Sequence, residues 1–325
     1  MKRWAVRSAR VPAYAKLNLG LRVLYKRPDG YHELRTVFQT ISLADRIGIS
    51  FTPAQGTSIE VHGTPAITDN LVCKAALFVA EAAGIKGDIV FHLKKNIPMG
   101  AGLGGGSSDA AAVLLALPAL AGKRLAPEDL SSIAARLGSD VPFFLHGGTV
   151  LGLGRGEELY PLPDQASAQG LLVVPAIHSS TAEAYRDLSR TLTSIALQNK
   201  LVSFQREVWR SGDGSVAESV PQAENDFEAV VFARHPELAE LKQRLVKFGA
   251  QPVSMSGSGS AIFGIFSEGS RLQRAKKFIT DHQVLPIKFV SRAQYRSAWR
   301  RALNPHVEGT LWPPRSRYAR NPSAR

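Results

Sequence analysis

A glycine-rich segment at residues 98–108, Pro-Met-Gly-Ala-Gly-Leu-Gly-Gly-Gly-Ser-Ser, could bind phosphate. Five glycines in seven positions let the backbone turn tightly and approach a ligand closely. An Ala/Leu-rich helix is predicted to begin near Ser107, and the free N–H groups and dipole of a helix N-terminus favour an anion. The hydroxyls of Ser107 and Ser108 could cap that helix or reach a phosphate or Mg²⁺. The segment therefore predicts a phosphate-binding loop, with a flexible linker as the alternative.

Two ionisable residues outside this loop could take part in phosphoryl transfer. Lys16 lies on the polar side of an alternating strand, where an ordinary exposed lysine is the alternative interpretation. Asp140 precedes the apolar run that begins at Val141, so its carboxylate is either a cap or a functional acid. Phosphoryl transfer needs the donor positioned, its charge neutralised and the acceptor hydroxyl oriented. A glycine-rich loop, a lysine and an aspartate are sufficient for that task.

The glycine-rich loop differs from a Walker A loop because it lacks the Gly-Lys-Ser/Thr ending. A second loop of small residues, Ser-Met-Ser-Gly-Ser-Gly-Ser, occupies residues 254–260 between two predicted strands. It is either a backbone wall against substrate phosphates or a hairpin with a glycine turn. The sequence alone leaves both interpretations of this second loop open.

The elements that must position these residues follow from hydrophobic periodicity and capping signals. Residues 13–24 alternate strictly, which predicts a half-buried strand. Asp69 is predicted to cap a helix over residues 70–83, which Gly84 closes. Further strands are predicted at residues 87–95, 170–177, 253–256, 261–266 and 284–290. Further helices are predicted from Pro127 to just before Gly138, and at residues 225–234, 236–248 and 271–281. These elements form two clusters of strands and helices, with a boundary near residue 165 and a cleft between them.

The composition of the chain limits the classes of protein to which it can belong. The chain has 325 residues, 44% of them hydrophobic, and its longest apolar stretch, residues 110–121, is too short to span a membrane. The single cysteine, Cys73, suits a reducing compartment, so we expect a cytoplasmic protein without membrane contact. The basic N-terminus is also compatible with an organelle transit peptide, because no acidic residue precedes Asp29.

The formal net charge of +13 could indicate a nucleic-acid-binding protein. However, residues 1–28 carry eight basic residues and no acidic one, and residues 292–325 carry eight arginines and one glutamate. The rest of the chain is therefore nearly neutral. We expect the basic ends to be solvated tails, and we expect no nucleic-acid partner.

The combination of motifs resembles the GHMP kinase family. The order matches: a strand bearing Lys16, the glycine-rich loop, the Asp140 segment and the Ser-Gly-Ser-Gly loop. Residues 15–19, Ala-Lys-Leu-Asn-Leu, and residues 27–34, Arg-Pro-Asp-Gly-Tyr-His-Glu-Leu, are similar to the branch that phosphorylates a cytidyl-methylerythritol. Mevalonate kinases and galactokinases differ there. The Asn-Asp-Phe-Glu segment at residues 225–228 also matches these kinases.

This resemblance implies an α+β fold with a ribosomal-protein-S5-like N-terminal domain over residues 12–165 and a ferredoxin-like C-terminal domain over residues 166–304. Residues 305–325 depart from the family pattern and are expected to form a disordered basic tail. The implied activity is ATP-dependent phosphorylation of the 2-hydroxyl of the methylerythritol unit, in the non-mevalonate route to isoprenoids. The implied cofactors are ATP and Mg²⁺, and the implied assembly is a monomer or homodimer.

The resemblance also assigns roles to individual residues. Asp140 matches the catalytic base, which also contacts the substrate, and Lys16 would favour its ionised form. ATP would be bound by Asn70, Lys95, Pro98, Gly100, Gly102, Leu103, Gly104, Gly105, Gly106, Ser107 and Ser108, with Ser107 also near the metal. The cytidyl substrate would be bound by Asn18, Tyr31, His32, Phe38 and Tyr185, although a phenylalanine is expected at position 185. The alternatives are a homoserine or mevalonate kinase of this family and an RNA-binding protein with an S5-like fold.

Overall fold

A computed structural model describes residues 5–64, 70–164, 168–189 and 223–306. In this structure, the alternating residues near the start of the chain form strand β1, Arg7–Lys26. It pairs antiparallel with β2, His32–Pro53, and the pairing shifts register between Tyr14 and Lys16. The sequence predicts a half-buried strand, but both faces are buried from Ala15 to Leu24. The polar face is covered because the glycine-rich loop and the segment around Asp226 pack against it.

Four shorter strands complete the first sheet. They are β3, Thr57–Thr64, β4, Gly87–Lys94, β5, Thr149–Leu153, and β6, Glu158–Pro161. The strand order is β3-β4-β2-β5-β6, with β1 paired to β2. Only β3 and β4 are parallel among the described pairings of this sheet. The long β1–β2 ladder therefore forms the centre of the layer on which the site is built.

Helices α1, Leu71–Ala83, α2, Gly105–Leu120, α3, Pro127–Leu137, and α4, Phe143–His146, belong to this half of the chain. The cap of α1 is Asn70, whose side chain accepts a hydrogen bond from the N–H of Val72 at 3.0 Å, so the prediction of Asp69 as the cap is wrong. Gly84 closes α1 in the left-handed conformation, as predicted. Helix α2 begins two residues before the predicted start and is buried on almost all sides.

The second sheet consists of β7, Gln169–Val174, β8, Val253–Met255, β9, Ile262–Phe266, and β10, Gln283–Lys288, in the order β10-β7-β9-β8. Its helices are α5, Thr181–Ser189, α6, Phe227–Arg234, α7, Pro236–Lys247, and α8, Gly269–Phe278. The two sheets lie on either side of the boundary predicted near residue 165, which stays a prediction.

Helix α9, Arg292–Leu303, contradicts the interpretation of residues 292–325 as a solvated basic end. Its N-terminus carries a capping box, in which Ser291 and Gln294 exchange hydrogen bonds. Tyr295, Trp299 and Leu303 are buried in the core of the first half, one helical turn apart, while Arg296, Arg300 and Arg301 are exposed. A short 3₁₀ turn, Asn304–His306, follows, and the tail predicted at residues 305–325 lies outside the described residues from 307 onward.

We expect Trp299→Ala to lower the free energy of unfolding by about 3–5 kcal/mol, because it removes a large, fully buried side chain from the core. The exposed Arg300→Ala on the same helix serves as the control and is expected to stay within about 0.5 kcal/mol. Denaturant unfolding measures both changes. Equal stability of the two variants would show that α9 adds little to the core.

No helix in the part of the chain that the structure describes has the length and apolar character to span a bilayer.

Candidate active site

A cleft of about 630 Å³ lies between the two halves of the chain. Its walls come from β1, β2, the glycine-rich loop, the turn before α4, α5 and the second small-residue loop. The predicted site residues that line it are Lys16, Asn18, Tyr31, His32, Phe38, Gly102, Gly104, Ser107, Asp140 and Tyr185. Residues far apart in the sequence thus meet in one place, as is usual for a ligand-binding cleft.

Lys16 and Asp140 form the ionic centre of the cleft. The Lys16 ammonium lies 3.4 Å from Asp140 Oδ2, and the lysine side chain is buried whereas the carboxylate is 34% exposed. The cap of α4 is Pro142, without a side-chain hydrogen bond, so the structure gives no support to Asp140 as the cap of that helix. An exposed carboxylate beside a buried cation can accept a proton from a bound hydroxyl.

A chain of hydrogen bonds fixes the Lys16 ammonium. Lys16 donates to Asn18 Oδ1 at 2.6 Å, and Asn18 donates to Thr36 Oγ1 at 2.8 Å. Thr36 donates in turn to the carbonyl of Gly20 at 2.7 Å. The backbone N–H of Lys16 donates to the carbonyl of Leu103, which ties the strand to the glycine-rich loop. Asn18 therefore orients the lysine as well as lining the cleft.

The two glycine-rich loops pack directly against each other. Ser256 donates its hydroxyl to the Gly102 carbonyl at 3.0 Å, and the N–H of Ala261 donates to the Ala101 carbonyl at 3.3 Å. Gly102 has a φ of +76°, and a Cβ there would lie 2.0 Å from the Ser256 carbonyl oxygen. Gly257 and Ser258 of the second loop also line the cleft. The second loop is both a β8–β9 hairpin connection and a wall of the cleft.

The segment at residues 225–228 supports this second loop. Asn225 donates to the carbonyls of Met255 and Gly257 at 2.8 and 2.7 Å. Glu228 accepts a hydrogen bond from the N–H of Met255 at 2.9 Å. Asp226 pairs with Arg22 of β1 at 3.2 Å. The segment therefore joins the second loop to the first sheet. The side chains of Asn225, Asp226 and Glu228 do not line the cleft.

Aromatic residues occupy another part of the cleft. The rings of His32 and Tyr185 stack with centroids 4.9 Å apart, and Tyr185 also meets Phe227 edge to face. His32 Nε2 lies 2.7 Å from Ser189 Oγ. Burial, with a smaller contribution from Lys26, lowers the pKa of His32, so its ring is neutral near pH 7. Burial and the Asp140 carboxylate raise the pKa of Tyr185. Neutral, stacked rings suit contact with a planar base.

Arg155 is a cleft residue that the sequence analysis missed. Its guanidinium carbon lies 4.6 Å from the centroid of the exposed Tyr31 ring, and its Nε lies 3.0 Å from Glu157 Oε1. It follows Gly154 in a glycine-rich stretch where no local pattern indicates a ligand. Apart from Lys16 and Arg155, no lysine or arginine lines the cleft in the described portion of the chain.

Several predicted nucleotide-binding residues do not line this cleft. Asn70 caps α1, Ser108 is buried with no hydrogen-bond partner for Oγ among the described residues, and Lys95 is paired with two carboxylates. The others are Pro98, Gly100, Leu103, Gly105 and Gly106, which form the glycine-rich loop and the first turn of α2. The assignment of these residues to ATP binding stays a prediction. The glycine-rich loop extends beyond the part of it that lines the cleft.

Comparison with known proteins identifies related sequences and folds. Residues 70–148 match the GHMP kinases N terminal domain, and residues 214–284 match the GHMP kinases C terminal family. The 4-diphosphocytidyl-2-C-methyl-D-erythritol kinase of Solibacter usitatus is 54% identical over 96% of this chain and 98% of its own length. The enzyme of the same name from Moorella thermoacetica is 41% identical, over 81% and 92% of the two chains.

Solved structures give the same result. A 4-(cytidine 5'-diphospho)-2C-methyl-D-erythritol kinase superposes with a TM-score of 0.70 at 36% identity, over 86% of this chain and 98% of that one. A homoserine kinase from Cytophaga hutchinsonii has a TM-score of 0.67 at 19% identity, over 88% and 95% of the two chains, which shows the shared fold.

Proposed function

Because the chain belongs to the GHMP kinase family, and within it to the 4-diphosphocytidyl-2-C-methyl-D-erythritol kinases, we propose that it transfers the γ-phosphoryl group of ATP to the 2-hydroxyl of 4-diphosphocytidyl-2-C-methyl-D-erythritol. The observation that carries this proposal is the Lys16–Asp140 pair in a cleft bounded by a glycine-rich loop and by stacked aromatic rings. The names of the related proteins indicate the substrate, and the cleft contains groups suited to each part of that substrate.

The transfer step uses groups of the chain at stated atoms. Asp140 accepts the proton of the 2-hydroxyl group while the oxygen of that hydroxyl group attacks the γ-phosphorus of ATP. The bond from the γ-phosphorus to the bridging oxygen breaks, and ADP leaves with the electron pair. Lys16, fixed by Asn18, lies beside the carboxylate and the developing negative charge. The N–H groups at the start of α2 bind the phosphates.

Mg²⁺ is part of the proposal because phosphoryl transfer from ATP uses it to neutralise phosphate charge. Mg²⁺ prefers oxygen ligands, and it is held by few protein groups together with waters and phosphates. Ser107 lies half-buried at the start of α2 and lines the cleft, so its hydroxyl fits that role.

Incubation of the protein with ATP, Mg²⁺ and separate candidate acceptors tests the proposal. We expect ADP and a phosphorylated product with the cytidyl substrate, and little product with mevalonate or homoserine. Equal turnover of mevalonate would contradict the proposed substrate and favour the alternative within the family. RNA binding that weakens steeply with salt, without ATP turnover, would favour the RNA-binding alternative.

We expect Tyr31→Ala to raise KM for the cytidyl substrate roughly 5- to 150-fold with a smaller effect on kcat, because stacking on one base contributes about 1–3 kcal/mol. Tyr160→Ala is the matched control, since Tyr160 is 53% exposed like Tyr31 and lies outside the lining of the cleft. Steady-state kinetics with the acceptor varied measures both. An unchanged KM in Tyr31→Ala would remove Tyr31 from the proposed substrate site.

We also propose a cytoplasmic location, which the single cysteine supports. Assembly as a monomer or a homodimer stays a prediction.

A further inference from the structure

Arg155 lies in the turn between β5 and β6 and lines the cleft, but the transfer step described above does not use it. The glycines on either side of it, Gly154 and Gly156, have φ angles of +68° and +104°, which this tight turn requires. The N–H of Leu34 in β2 donates to the Gly154 carbonyl at 2.6 Å. The turn is therefore tied to the strand that follows Tyr31, and it presents Arg155 beside the connection between β1 and β2.

Glu157 holds the Arg155 guanidinium in place. Its Oε1 accepts a hydrogen bond from Arg155 Nε at 3.0 Å, and its Oε2 accepts one from the backbone N–H of Arg155 at 2.7 Å. The side chains of Arg155 and Glu157 are 27% and 21% exposed, so the pair is mostly withdrawn from solvent. The guanidinium carbon lies 4.6 Å from the centroid of the Tyr31 ring, within the range of a cation–π contact.

The backbone of Tyr31 is fixed by its turn, but its side chain is not. The N–H of Tyr31 donates to Asp29 Oδ1 at 3.1 Å, and its carbonyl accepts from the N–H of Arg27 at 2.7 Å. The side chain is largely exposed, and within the described ranges its hydroxyl makes no hydrogen bond and its ring contacts no other aromatic ring. The orientation of the ring therefore depends on the contact with Arg155.

We propose that Arg155 is a positioning residue for the acceptor substrate, which holds the Tyr31 ring in the orientation that stacks on the cytosine base. This inference rests on the proposed function, because it takes a cytidyl group as the ligand at this end of the cleft. A ring that is oriented before the substrate arrives loses less conformational freedom on binding. Loss of Arg155 should therefore weaken binding of the base and leave the chemical step intact.

A contact between Arg155 and the diphosphate of the substrate is the competing role. Arg155 and Lys16 are the two lysine or arginine residues that line the cleft in the described parts of the chain, and a diphosphate attracts cations. The geometry favours the role through Tyr31, because the guanidinium already faces that ring and its Nε is bonded to Glu157. The two roles differ in the ligand they require. Affinity for cytidine, which has no phosphate, depends on Arg155 only if Arg155 acts through Tyr31.

Calorimetric titration of the full-length protein with cytidine and with cytidine diphosphate tests the inference. We expect Arg155→Gln to lower the affinity for both ligands by a similar factor, roughly 3- to 30-fold, the scale of one cation–π contact. In steady-state kinetics, KM for the cytidyl substrate should rise by the same factor while kcat stays within about twofold. Arg274→Gln on α8 is the control, because Arg274 is exposed and does not line the cleft.

A double variant with Tyr31→Ala shows whether Arg155 acts through the ring. Once the ring is absent, Arg155→Gln should weaken cytidine binding no further than Tyr31→Ala alone does. Glu157→Gln is a second variant, which loosens the guanidinium without removing it. It should weaken cytidine binding by a smaller factor than Arg155→Gln.

Three results would overturn the inference: additive losses in the double variant, a loss of affinity for cytidine diphosphate with unchanged affinity for cytidine, or a fall in kcat without a rise in KM. Binding of both ligands with the expected dependence on Arg155, but without a phosphorylated product, would contradict only the proposed function. Turnover of the cytidyl substrate by Arg155→Gln with the KM of the parent would contradict only the inference. A parent that binds neither cytidine nor cytidine diphosphate would contradict both.

Discussion

Asp140→Asn should lower kcat by roughly 10²–10⁴ while ATP binding is largely retained. The change keeps the size of the side chain and its place 3.4 Å from the Lys16 ammonium, but it removes the proton acceptor. In the proposed site, the phosphates are held by backbone N–H groups of the glycine-rich loop, and a carboxylate near them contributes repulsion rather than binding. The affinity for ATP therefore stays similar or increases slightly. Measurements of kcat and of the nucleotide Kd separate these two effects.

Lys16→Met extends the same test. It should lower kcat more than it weakens ATP binding, and the double variant should lose less than the product of the two single effects, because the pair acts as one unit. Asp281→Asn is the control: this exposed carboxylate pairs with Arg244 on the second half of the chain and should leave kcat within about twofold. Turnover by Asp140→Asn within a few-fold of the parent would assign Asp140 a structural role and refute the proposed mechanism.

The motifs in the sequence were sufficient to predict the family and the fold class, and both predictions are confirmed. The glycine-rich loop could be predicted because its chemistry resides in consecutive residues whose backbone must turn. The Lys16–Asp140 pair could be predicted only through the resemblance, since the two residues lie on distant segments. Taken alone, Lys16 favoured an ordinary exposed lysine, and Asp140 was equally compatible with a capping role. Folding brings them together through β1 and the turn before α4.

Two features show where local sequence was insufficient or misleading. Helix α9 was missed because its arginines dominate the composition of residues 292–325, although the spacing of Tyr295, Trp299 and Leu303 marks an apolar helical face. The buried ion pairs of Lys95 with Asp45 and Asp109 could not be predicted, because nothing near Lys95 in the sequence indicates that these two carboxylates contact it. Long-range pairing of buried charges depends on how β2, β4 and α2 pack, and that packing has no signature in the residues themselves.

We expect Gly102→Ala to have the second large effect, because it disrupts the contact between the glycine-rich loop and the second small-residue loop. At a φ of +76° an alanine is strained, and its Cβ would lie 2.0 Å from the Ser256 carbonyl oxygen and 3.2 Å from that of Gly259. Both neighbours are backbone atoms, so the clash is relieved only if the loops separate. Gly105→Val is expected to disturb the backbone less than Gly102→Ala does, because a Cβ at Gly105 meets only side-chain atoms at 3.1–3.3 Å.

Separation of the loops should weaken ATP binding and lower kcat together in Gly102→Ala. A displacement of about 1 Å costs on the order of 10²-fold in rate, and the strained backbone costs about 1–3 kcal/mol of stability. Gly56→Ala is the matched control, because no atom lies within 4 Å of its added Cβ. Thermal unfolding, nucleotide Kd and kcat should all be measured for both variants. If Gly102→Ala binds ATP and turns over like Gly56→Ala, then the contact between Gly102 and Ser256 does not set the geometry of the site, and the second loop is only a hairpin connection.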